Sequence, residues 1–163
     1  ALGVENPEPG VMERPPRNPK AGIFSGGLGW TIGLQGFLIG ALTLGAYYFT
    51  HKGALAAGMT PNDAVVHART TAFATLAFSQ LFHSYNTRSR DKSLFRIGFF
   101  GNKYLNLAFL ASGLLQLMVV TVPFFQPLFD TTTLTASEVL EVVLLSISPL
   151  VVVELVKLVF HRS

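Results

Sequence analysis

From Ile23 to Phe49 the chain runs 27 residues without one charged side chain. As a helix at ~1.5 Å per residue, such a run is about 40 Å long, enough to cross a hydrocarbon core of about 30 Å with some tilt. A soluble domain of 163 residues has no use for a surface of that kind. The rest of the chain agrees: only 13% of residues are charged and Phe (14) outnumbers Asp plus Glu (9). In water this would leave large apolar patches exposed, so lipid is the expected solvent. A net charge of +3 with the cations beside apolar runs argues for membrane topology and against nucleic acid as a partner. The lack of cysteine excludes disulfides and Cys-based metal sites.

The pattern predicts an all-α membrane protein of four transmembrane helices, arranged as two antiparallel hairpins. Residues 1–22 form a polar, Pro-rich loop with no signal-peptide pattern, which suggests a start within a larger protein. The spans are 23–49, 62–85, 104–124 and 138–160. They are joined by outer loops 50–61 and 125–137 and by a basic loop, 86–103. The first span carries Gly29, Gly33, Gly36 and Gly40 at spacings of four, three and four, one helical face that lets another backbone approach closely. Thr60-Pro61-Asn62-Asp63 reads as an N-cap, a first-turn proline and a dipole-matched acid for the second span. That span has the weakest membrane signature, with His67 and Arg69 in its first turns and Thr71, Thr75, Ser79 and Gln80 beyond. Pro123 and Pro127 end the third helix. Thr135 or Ser137 caps the fourth, whose Pro149 should kink it. Glu154 and Lys157 are three apart and can pair or point to the interface.

Ten of the twelve Lys and Arg residues fall in 1–22, 86–103 and 155–163; Lys52 and Arg69 are the exceptions. The loop residues Arg88, Arg90, Lys92 and Arg96 dominate this count, and the positive-inside rule places both termini and the basic loop in the cytoplasm. Phe95, Phe99 and Phe100 among those cations suit a segment at the headgroup boundary.

Signatures of soluble enzymes are missing: no phosphate-binding loop, no H-E-x-x-H, no G-x-S-x-G. The four histidines, 51, 67, 83 and 161, sit at separate helix ends or loops and are not read as a cluster. Gln80 is the one polar residue that stands out. It is read either as an interhelical hydrogen bond or, since an amide oxygen is a hard ligand, as one ligand of a cation site.

Pro9-Gly10-Val11-Met12-Glu13-Arg14-Pro15-Pro16-Arg17-Asn18-Pro19 resembles the loop after the sixth transmembrane helix of type II P-type cation-transporting ATPases. Phe82 to Ser89 is similar to the end of that family's eighth helix. Ser93 to Leu105 looks like the following loop of bacterial Ca²⁺ pumps. Ser146-Ile147-Ser148-Pro149 and Val153 to Lys157 look like the tenth helix. The resemblance implies helices seven to ten of such a pump, multi-pass in a bacterial plasma membrane. Its partners would be helices four to six, the cytoplasmic domains and the bilayer. Ca²⁺ would be the transported ion and Mg-ATP the fuel in the parent pump, with no cofactor and no phosphorylated Asp-Lys-Thr-Gly in this segment. It puts Gln80 where the animal reticulum Ca²⁺ pump has a site-forming Glu, and makes Gly29 to Gly40 a packing surface against the fifth helix. Isolated, the segment should self-associate through that surface or be unstable outside a membrane. Other readings are a pump for Na⁺, K⁺ or H⁺, a non-catalytic scaffold without ion contact, or a self-contained four-span channel or carrier.

Overall fold

The computed structural model describes residues 3, 22, 24, 27–89 and 92–160, without the side chains of 159 and 160. The Pro-rich segment 9–19, Arg90 and His161 lie outside the described residues. Among the described residues the regular structure is helical throughout. The helices are α1 (Leu28–Ala56), α2 (Pro61–Asn86), α3 (Leu94–Ile97), α4 (Lys103–Thr121), α5 (Gln126–Phe129) and α6 (Ala136–Phe160), with a 3-10 turn over Pro123–Phe125.

α1 continues past Phe49 because its next turn is still supported: His51 stacks on Tyr47, ring centroids 5.8 Å apart, and the Lys52 ammonium lies 5.0 Å over the Tyr48 ring. α2 starts as its sequence dictates. Thr60 Oγ1 accepts the Asp63 N–H at 3.2 Å and donates to Asp63 Oδ2 at 2.7 Å, with Pro61 at the first helical position. α6 is capped by Thr135, whose N–H donates to Glu138 Oε2 at 2.7 Å while its hydroxyl takes the Glu138 N–H at 3.4 Å. α6 runs unbroken through Pro149. Proline has no N–H for the Leu145 carbonyl; the Ser148 hydroxyl donates to it instead, at 2.6 Å.

α1, α4 and α6 are long and apolar enough to cross a membrane. α2 has the length, 26 residues, but not the composition. It is nevertheless the centre of the assembly, with α1, α4 and α6 all packed against it. Its small and polar residues Ala64, Ala68, Thr71, Ala74, Thr75 and Ser79 are all buried. Large lipophilic side chains such as Leu107, Leu114 and Leu144 point outward from α4 and α6. That is an apolar shell around a more polar centre, the arrangement expected where the surroundings are hydrocarbon.

Contacts fix the helix directions. Between α2 and α6 the pairs are His67–Glu138, Thr75–Ser146 and Asn86–Lys157, each 71 residues apart, so these helices run parallel. Between α2 and α4 the pairs are Tyr85–Asn106, Phe82–Phe109 and Leu81–Gly113, so these run antiparallel. α1 reaches α2 through the short link 57–60 and packs along it, which requires an antiparallel hairpin. The start of α1, segment 87–102 and the end of α6 therefore share one end of the bundle. A core of Ala74, Phe78, Val120, Leu134 and Val142 closes the other half.

Candidate functional site

Thr71 and Thr75 are spent on their own helix: each hydroxyl donates one turn back, to His67 O at 3.1 Å and to Thr71 O at 2.8 Å. Ser79, one turn on, is fully buried and its hydroxyl has no partner among the described residues. Gln80 sits beside it but faces the opposite way, exposed on the outside of α2. It shares that face with Arg69, Phe73 and Leu76, at helical spacings of four, three and four. An amide on the outside of a helix among apolar side chains is costly against hydrocarbon, where it finds no hydrogen-bond partner.

Most of the other polar groups are used structurally. His67 Nε2 lies 2.7 Å from Glu138 Oε1, tying α2 to α6 at one end. Arg69 pairs with Asp130 beside it, and the Thr132 N–H donates to Thr70 Oγ1 at 3.0 Å. His83 Nδ1 is 3.4 Å from Asn86 Nδ2. Tyr85 donates to Asn106 Oδ1 at 2.8 Å, whereas buried Gln116 Nε2 has no partner among the described residues. Among the described residues no three His, Asp or Glu side chains stand together as a metal-binding group. A groove of about 680 Å³ runs between α1 and α6, lined mainly by apolar residues such as Leu42, Phe49 and Leu145 with His67, Glu138 and Glu141. Gln80 does not line it.

At the opposite end a buried charge cluster ties three segments together. Glu154, 4% exposed, accepts the Ser93 hydroxyl at 2.7 Å and the Leu94 N–H at 2.8 Å on one oxygen. Its other oxygen takes Lys157 Nζ at 3.1 Å, and Lys157 also donates to the Asn86 carbonyl at the end of α2, at 3.1 Å. The sequence gives the Glu154–Lys157 spacing; the link to a loop some 60 residues earlier has no local signal. Arg88 was equally illegible. Though counted among the topology charges, it is 8% exposed and turned inward, donating to the Gly98 carbonyl at 2.7 Å. Gly98 needs its positive φ of 83° to end α3 there. Arg96 points outward, and Lys92 is half-buried.

The glycine face is open. A Cβ placed on Gly33, Gly36 or Gly40 would meet no atom within 4 Å, whereas at Gly29 it would lie 3.2 Å from the Phe24 Cβ.

Comparison with known proteins places this arrangement. The family described as "Cation transporting ATPase, C-terminus" matches residues 1–159. The chain is 42% identical over 166 residues to a Bacillus cereus protein named calcium-transporting ATPase 1, covering 97% of this chain and 19% of that protein. It is 40% identical over 149 residues to the Bacillus subtilis calcium-transporting ATPase, covering 91% and 16%. Calcium-transporting ATPase 1 of Saccharomyces cerevisiae is 34% identical over 162 residues, covering 97% and 16%. The chain thus spans less than a fifth of the length of these relatives. With the family match running through all the helices just described, the chain belongs to the cation-transporting ATPases, as their C-terminal region.

Proposed function

We propose that this chain is the four-span C-terminal membrane region of an ATP-driven Ca²⁺ pump in a bacterial plasma membrane, with α2 crossing the bilayer beside α1, α4 and α6. Both termini and the 86–103 loop face the cytoplasm, in line with the cation count. The relatives' names support Ca²⁺ as cargo. In this reading Mg-ATP is consumed by domains outside the chain, and the region supports helices four to six of the parent pump. The single observation that carries its contact with the ion path is Gln80. It is exposed among Phe73 and Leu76 on a helix that buries Thr70, Thr71, Thr75 and Ser79, the other uncharged polar residues of its middle turns, so a further protein segment has to cover it. The glycine face of α1, open within this chain, supplies a second surface for a further segment to cover.

The test uses the parent pump. Ca²⁺-dependent phosphorylation by ATP is titrated in Gln80→Ala and Gln80→Glu variants. Loss of one oxygen ligand should raise the Ca²⁺ needed for half-phosphorylation by roughly tenfold or more, about 1.4 kcal/mol, and the carboxylate should lower it. An unchanged titration in both variants would support the second reading, a scaffold without ion contact. That reading is favoured by one fact: among Arg69, Phe73, Leu76 and Gln80 on that face, the amide is the one side chain with an oxygen to offer a cation.

A further inference from the structure

Segment 94–104 is held to the bundle from the inside. Glu154 fixes its start, Arg88 grips Gly98, and Asn102 caps α4 by accepting the Leu105 N–H at 2.9 Å. Aromatic contacts continue the anchoring. Phe99 lies 6.3 Å from Tyr85 of α2, which in turn lies 5.2 Å from Phe109 of α4, ring centre to ring centre. A segment fixed this firmly still turns a second set of rings outward: Phe95 is 70% exposed, Phe100 87% and Tyr104 66%. Arg96 and Lys103 are exposed among them, and neither pairs with a carboxylate among the described residues.

We infer that the outward face of 94–104 is a binding site for the anionic phosphate headgroups of bilayer phospholipids. The inference rests on the membrane-spanning reading above, which sets this segment level with the helix ends. Three physical features select a lipid over a soluble anion. Exposed Phe rings gain by entering the acyl boundary, and a Tyr there keeps its hydroxyl wet. Arg96 offers a planar fork that binds a phosphodiester through two oxygens, and Lys103 adds a point charge. Finally, the cations and rings alternate on one short segment lying across the end of an apolar bundle, which suits a headgroup layer better than a pocket for a free ion.

The test measures lipid retention by the purified parent pump, using native mass spectrometry after incubation with phosphatidylglycerol or phosphatidylcholine. The wild type should retain phosphatidylglycerol preferentially. Arg96→Gln and Lys103→Gln should each weaken that retention about fivefold, and together roughly 25-fold, while the Arg96→Lys, Lys103→Arg pair keeps most of it. Should the double glutamine variant fail to accumulate, the single variants carry the same reading. Equal retention of both lipids by the wild type, or undiminished retention by the glutamine variants, would overturn the inference. So would displacement of phosphatidylglycerol by inorganic phosphate, which would mark a site for free anions. Ca²⁺-dependent phosphorylation is measured on the same preparations. Its absence in the wild type would sink the pump reading and leave the lipid preference to be judged separately.

Discussion

Replacing Glu154 by Ala should release the 92–98 segment from the bundle. The substitution removes one acceptor but strands three donors: the Ser93 hydroxyl, the Leu94 N–H and the Lys157 ammonium. Side-chain exposures of 5% for Glu154 and 8% for Lys157 mean that little water reaches the pair. Breaking a buried ion pair by removing one partner costs about 3–5 kcal/mol, since the remaining charge stays desolvated. Local opening of the segment would then become roughly 10²- to 10⁴-fold more frequent. Hydrogen exchange of the parent pump in membranes reads this directly, as faster exchange in peptides spanning Ser93 to Ile97. Glu154→Gln keeps an oxygen for the Leu94 N–H and should fall between wild type and Glu154→Ala. Combining Glu154→Gln with Lys157→Met removes both charges and keeps the acceptor, so much of the protection should return. Unchanged exchange in Glu154→Ala would refute the latch. A double variant as unprotected as Glu154→Ala would refute the claim that the stranded charge carries the cost.

Ser146 is fully buried where α6 meets α2, its hydroxyl donating to Val142 O at 2.7 Å and Thr75 O at 3.1 Å. Ser146→Ala should cost about 0.6 kcal/mol and Ser146→Leu, which must push the helices apart, about 1–3 kcal/mol or more; equal unfolding midpoints for the two variants would contradict that packing. Gly36→Leu with Gly40→Leu meets open space in this chain, so the isolated segment should fold as before while losing self-association in mild detergent; light scattering that shows a monomer both before and after substitution would remove the packing role from this face.

Much of this protein was legible locally. Ile23 to Phe49 announces a membrane helix because length and lack of charge are properties of the segment itself. The Thr60 cap was equally readable, since all its partners lie within four residues. For the start of α6 the sequence left two candidate caps, and the backbone geometry selected Thr135 over Ser137.

What lay beyond the sequence was which segment each polar group serves. α2 gives the weakest membrane pattern, yet it is the helix that the other three surround. Its threonines and alanines are small enough for neighbouring backbones to come close, which a hydropathy pattern scores as weakness. The same helix holds Ser79 inward and Gln80 outward, adjacent in sequence and opposite in environment, because one residue is a turn of about 100°. Arg88 and Glu154 likewise take their roles from contacts with segments distant along the chain or folded back in a loop. A local pattern sets what can span a bilayer; only the packing of the spans decides which side chains stabilise the bundle and which are left facing whatever covers it.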